Sequence, residues 1–132
     1  MTKALLADLE WRGLIAQTTD RDALTTAMEA GPISFYVGFD PTAPSLHIGN
    51  LAVICTMRRL QLAGHNPIPL VGGATGLVGD PSGRNEERSL NDETVVEDWV
   101  NRIRLQLSKF LSFEGTNAAI MANNLDWTAP IS

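Results

Sequence analysis

His47 and Gly49 stand where an apolar run gives way to a helical pattern, in Phe35-Tyr36-Val37-Gly38-Phe39-Asp40-Pro41-Thr42-Ala43-Pro44-Ser45-Leu46-His47-Ile48-Gly49-Asn50. A strand that turns into a helix start makes an anion site, because unpaired backbone N–H groups and the positive end of the helix dipole point the same way. A histidine there donates to a phosphate, and a glycine lets a bulky ligand approach the backbone. The competing reading is a histidine that caps the helix with no ligand. A second loop, Gly72-Gly73-Ala74-Thr75-Gly76-Leu77-Val78-Gly79-Asp80, is rich in glycine and ends in a carboxylate. It is neither G-x-G-x-x-G, since Ala74 takes the place of the second glycine, nor a P-loop with G-K-[ST]. It reads as a close backbone approach to a ligand or as a bare loop.

The charged residues near these loops carry paired readings. Asp40 and Asp80 either bind a cationic group or a Mg²⁺-nucleotide, or shape the turns before Pro41 and Pro81. Arg84 and Arg88 either clamp pyrophosphate with guanidinium forks or sit solvated beside Glu86 and Glu87. Tyr36 either packs in the core with its hydroxyl satisfied or turns that hydroxyl into a polar pocket. Trp11, Trp99 and Trp127 read as packing residues. His65 reads as a helix C-terminal residue facing the dipole, Cys55 as a small buried hydrophobe, and Arg58 and Arg59 as helix surface.

The elements that position these groups alternate between helix and strand. Helical patterns span Thr2 to Arg12, stopped by Gly13, and Asp20 to Ala30, capped by Thr19 or Asp20 and closed by Gly31. Ile33 to Val37 reads as a strand. A helix follows from about Leu46 to Ala63, with Leu51, Ile54, Cys55 and Arg58 on one face and Gly64 and Pro67 ending it. Pro67 to Gly72 is a second strand, so the pair forms a βαβ unit with parallel strands. A long helix from Glu93 to Leu111 carries the stripe Val96, Trp99, Val100, Ile103, Leu107 and Phe110. Ala118 to Ala122 reads as a third strand, with Asn123-Asn124-Leu125-Asp126-Trp127 at its C-terminal end. Ligands of open α/β sheets gather at the C-terminal strand ends, where both distinctive loops lie.

Composition narrows the function classes. The 132 residues are 44% hydrophobic and 19% charged, which suits one globular domain. A net charge of −5 disfavours a general nucleic-acid binder. The single cysteine allows no internal disulfide. No secretory signal or bilayer-length apolar run is read, and a cytoplasmic protein away from membranes is expected.

The motifs also carry a resemblance. Pro41 to Asn50 resembles the HIGH signature of class I aminoacyl-tRNA synthetases. Trp11-Arg12-Gly13-Leu14, Gly38 to Ala43, Val71 to Leu77, Gly79 to Gly83 and Asn123 to Trp127 together resemble the N-terminal half of the catalytic domain of the bacterial tyrosyl-tRNA synthetase family. The resemblance implies an α/β, Rossmann-like doubly wound parallel sheet, here incomplete, with residues 1–31 as a helical N-terminal segment and 32–132 as the Rossmann-like half. It implies ATP-dependent activation of L-tyrosine to tyrosyl-adenylate and transfer to tRNA(Tyr), with ATP as substrate accompanied by Mg²⁺ and no resident protein-bound metal. By resemblance His47, Thr42, Asn50, Arg84 and Arg88 serve catalysis, with Asn50 in place of the second histidine of HIGH. Tyr36, Asp80, Thr75, Asn124 and Gly38 bind tyrosine; Asp40, His47, Gly49 and Asn50 bind ATP.

The chain departs from the family in one signature. The lysine-serine loop of the family is missing, because the only lysines are Lys3 at the N-terminus and Lys109 in the last helix. The chain therefore reads as a fragment; the homodimer interface and the tRNA-binding domains belong to parts not present. The alternative is a truncated module that binds ATP or tyrosine without ligase activity. A nicotinamide-binding domain is disfavoured by the missing G-x-G-x-x-G.

Overall fold

The computed structural model describes residues 2–39, 48–72, 93–124 and 126. Chain order is α1 (Thr2–Trp11), α2 (Arg21–Ala30), β1 (Ser34–Phe39), α3 (Ile48–Leu62), β2 (Asn66–Val71), α4 (Glu93–Leu107) and β3 (Ala122–Asn123). The strands form one parallel sheet in the order β1-β2-β3. This α/β arrangement, open and not closed into a barrel, is the expected Rossmann-like sheet in incomplete form.

Local chemistry sets the helix ends. Asp20 caps α2, its carboxylate accepting from the Ala23 N–H at 2.9 Å. At the end of α1, Gly13 has φ +73°, with its N–H on the Glu10 carbonyl and the Leu14 N–H on the Leu9 carbonyl. At the end of α3, Gly64 has φ +101°, and the Gly64 and His65 N–H groups return to Gln61 and Leu60. Both are Schellman closures, which need a left-handed residue that glycine adopts without steric cost.

The sheet buries one face. In register, Phe35, Val37 and Phe39 stand beside Pro67, Pro69 and Val71. With Ile54 and Met57 of α3, Ile103 and Leu107 of α4, and Leu111 and Ala119 beyond it, they pack the larger core. Tyr36, Ile68 and Leu70 lie on the opposite face with Ile120, and among the described residues they belong to neither apolar cluster. The second cluster joins Leu6, Leu9 and Met28 with Ile33 and Leu60, seating the N-terminal helices against the start of β1 and the end of α3.

Several sequence expectations change. The third strand was expected over Ala118 to Ala122, but β3 is Ala122–Asn123. The cause lies in β2. Odd-numbered residues of β2 face β3 with their N–H groups, and two of them, Pro67 and Pro69, have none. Ile120 still donates to the Pro67 carbonyl at 3.1 Å, but Pro69 has no N–H to return to Ile120, so the ladder begins only where Val71 supplies one. Helix α4 ends at Leu107 rather than Leu111; a turn follows, which swings Leu111 into the core and leaves Phe110 exposed. Cys55 and Trp11 are exposed rather than packed, Trp11 with the Arg12 guanidinium 5.9 Å from its ring. Leu51 is also exposed, and the buried stripe of α3 runs through Ile54, Met57 and Gln61.

His65 is not a cation at the dipole. It is 4% exposed, and its Nδ1 accepts the Ile33 N–H at 3.1 Å, which fixes the neutral ring with the proton on Nε2. Burial lowers its pKa below the ordinary 6.5.

Two measurements follow from this packing. Leu107→Ala should cost about 2–5 kcal/mol in urea unfolding, whereas Leu105→Ala, on the exposed side of α4, should stay within about 0.5 kcal/mol. Because the folded pKa of His65 is depressed, its contribution is complete above 6.5 and is lost as pH falls through the folded value, where the unfolded chain binds a proton that the folded one excludes. The urea midpoint should therefore fall between about pH 7.5 and 5.5, and fall less in His65→Asn, whose carbonyl still accepts from Ile33.

Candidate functional site

The three strands end level with one another. Phe39 pairs with Val71, and Val71 pairs with Asn123. Beyond those pairs the Gly72 N–H donates to the Phe39 carbonyl at 2.8 Å, and the Asn124 N–H donates to the Val71 carbonyl at 3.0 Å. The chain thus leaves β1, β2 and β3 from one edge, within two strand spacings of roughly 5 Å each. The glycine-rich segment and the segment that leads to His47 depart from neighbouring strands.

Around this edge the described candidates take definite places. Tyr36 is 71% exposed and sits on the face opposite the core. Gly38 follows on that same face, one residue before the end of β1; a Cβ built on it meets no described atom within 4 Å. Its φ lies outside the left-handed region, so neither backbone strain nor described packing requires glycine there. A glycine in a strand with open space above it suits close approach by a ligand. Gly49 and Asn50 lie in the first turn of α3, which carries no acidic residue to compete for an anion. Asn124 follows β3 at the same edge, tied to Val71. The edge thus sets the start of a helix, whose dipole favours an anion, near the exposed Tyr36 phenol and the open strand residue Gly38.

Thr42, His47, Asp40, Thr75, Asp80, Arg84, Arg88 and Trp127 lie outside the described residues, as does the side chain of Val96. Arg58 and Arg59 are helix-surface residues toward the far end of α3, bonded to Gln61 at 2.8 Å and Asp8 at 3.4 Å.

Gln61 and Asn117 were not singled out from the sequence, yet the buried Gln61 carboxamide and the half-buried Asn117 share a network of hydrogen bonds. The signal was present in the period: Gln61 falls on the stripe Ile54, Met57, Gln61 at spacings of three and four, which places a carboxamide on the core side of α3. Among the described residues no three His, Cys, Asp or Glu side chains come together as a metal site, and no helix is long and apolar enough to cross a membrane.

Comparison with known proteins sharpens the reading. The chain is 60% identical over 128 residues to a Streptomyces avermitilis protein named tyrosine–tRNA ligase, covering 97% of this chain and 30% of that one. It is 63% identical over 131 residues to a tyrosine–tRNA ligase of Acidothermus cellulolyticus, covering 97% of this chain and 31% of the relative. The chain thus spans just under a third of the length of these relatives. Among solved structures it is similar to the C-terminally truncated mitochondrial tyrosyl-tRNA synthetase of Aspergillus nidulans, with TM-score 0.79, 28% identity and coverage of 97% of this chain and 39% of that one. The Coccidioides posadasii counterpart gives TM-score 0.75 at 30% identity, covering 97% and 37%. The family described as tRNA synthetases class I (W and Y) matches residues 28–132, and on that match the chain belongs to the class I tRNA synthetases of this group.

Proposed function

We propose that residues 1–132 are the N-terminal part of the catalytic domain of a tyrosine–tRNA ligase, with 1–31 a helical lead-in and 32–132 the Rossmann-like half. The observation that carries the reading is the level exit of three parallel strands at one edge, in a chain 60% identical to a protein named for this activity. In the proposed reaction a carboxylate oxygen of L-tyrosine attacks the α-phosphorus of ATP, the bond to the leaving pyrophosphate breaks, and tyrosyl-adenylate forms. A hydroxyl at the 3′ end of tRNA(Tyr) then takes the tyrosyl group and releases AMP.

The protein's part is positioning and charge stabilisation. Gly49 and Asn50 would meet ATP at the start of α3, with Asp40, and His47 and Thr42 would stabilise charge on its phosphates. Tyr36, Gly38, Asn124, Thr75 and Asp80 would hold tyrosine, and Arg84 and Arg88 would close on pyrophosphate. Mg²⁺ enters with ATP as part of the substrate. The same reading puts the full-length protein in the cytoplasm, where translation occurs, and makes it a homodimer. The alternative is a module that binds ATP or tyrosine without turnover.

Tyrosine-dependent ATP–pyrophosphate exchange separates the two: exchange supports the ligase, and nucleotide binding without exchange in the full-length protein supports the module. His47→Ala should raise the exchange barrier by about 3 kcal/mol; an unchanged rate removes His47 from the mechanism. Gly38→Ala should leave the melting temperature unchanged or slightly higher, since the added methyl meets no described atom within 4 Å, while raising the KM for tyrosine. Tyr36→Phe should reduce discrimination against phenylalanine by about 0.5–1.5 kcal/mol, the worth of one hydrogen bond, read from the ratio of kcat/KM values.

A further inference from the structure

We propose that Gln61 and Asn117 are positioning residues that lock the start of α3 and the exit of β3 in one fixed relation, and so couple the nucleotide side of the site to its amino-acid side. The inference rests on the ligase reading above. Gln61 is 4% exposed, and both ends of its carboxamide are used. Nε2 donates to the Ser112 carbonyl at 2.7 Å and to the Asn117 carbonyl at 3.2 Å. Oε1 accepts from the Ser112 N–H at 3.0 Å and from Arg58 Nη1 at 2.8 Å. The two bonds to Ser112 pair the carboxamide with the Ser112 backbone at two points, which fixes rotation as well as distance. Asn117 answers from the other side, its Nδ2 donating to the Gln61 carbonyl at 2.7 Å and to the His65 carbonyl at 3.0 Å. The last turn of α3 is thus gripped in both directions by the connection between α4 and β3.

That connection then runs directly to the site. Ala119 donates to the Ser112 carbonyl at 2.8 Å, Ile120 to Pro67 at 3.1 Å, and Asn124 to Val71 at 3.0 Å. Toward the other end, α3 is a rod of 15 residues, roughly 22 Å long, with Gly49 and Asn50 in its first turn. Its apolar contacts through Ile54 and Met57 are non-directional and permit sliding. The carboxamide bonds are directional and do not. A leucine at Gln61 would satisfy the apolar stripe without the desolvation cost of a buried amide. The amide supplies a fixed register that leucine cannot.

The test is ATP–pyrophosphate exchange in the full-length protein carrying this segment, with rates expressed per active site from an adenylate burst. Gln61→Leu keeps the volume and removes the bonds. It should lower kcat roughly 10- to 100-fold while the KM values for tyrosine and ATP move less than about threefold, since each half of the site survives and only their mutual placement is lost. Gln61→Glu keeps the acceptor for Ser112 and Arg58 and loses the donors, so its kcat should fall in between; Asn117→Asp should lower kcat in the same way. These two decide the matter if Gln61→Leu does not fold. Normal kcat per active site in the folded variants, with only a lower melting temperature, overturns the proposal. No exchange by the unsubstituted protein overturns the ligase reading and this inference with it.

Discussion

The hydrogen bonds from Gly72 to the Phe39 carbonyl and from Asn124 to the Val71 carbonyl hold three chain exits side by side. Parallel pairing imposes this: strands that run the same way in register deliver their following segments to one edge. Helix α3 starts at the same edge and runs to the opposite end, since a βαβ crossover must carry the chain back past the sheet before β2 begins. A slip of one residue in the β1–β2 register would put Phe39 and Val71 on opposite faces and turn one strand's core residues to the other side, so the burial of Phe39, Ile54, Val71 and Leu107 also fixes the edge.

The two ends of the sheet do different work. At the start of the strands polar groups are paired: buried His65 accepts from the Ile33 N–H, buried Gln61 binds Ser112 and Asn117, and half-buried Asn117 donates to the Gln61 and His65 carbonyls. At the far edge Gly38, Gly49 and Tyr36 are exposed, and α3 begins there with the positive end of its dipole. Rigidity at one end and open polar groups at the other is the arrangement a binding edge requires. The faces differ as well: one is filled by α3 and α4, while Tyr36, Ile68, Leu70 and Ile120 form the other. Parallel sheets are ordinarily covered on both faces, and this chain spans 30% of its Streptomyces avermitilis relative.

The sequence showed most of the elements, because their signals are local. Asp20 ahead of α2, Gly13 and Gly64 as closures, and the β-branched and aromatic run of β1 each specify a backbone state within a few residues. What escaped depended on partners distant in the chain. The length of β3 was set by Pro67 and Pro69, some fifty residues earlier, whose missing N–H groups face it. The role of His65 was set by Ile33, and that of Gln61 by Ser112 and Asn117. The edge location of Gly38, Gly49, Asn50 and Asn124 followed from topology alone; which molecule meets them rested on the resemblance of the motifs.

The most direct measurement is a crystal structure of the full-length protein with a non-hydrolysable tyrosyl-adenylate analogue. The account predicts the analogue across the C-terminal strand edge, its adenylate beside Gly49 and Asn50 and its phenol near Tyr36, Gly38 and Asn124. An analogue bound at the opposite end of the sheet, by His65 and Asn117, would contradict it.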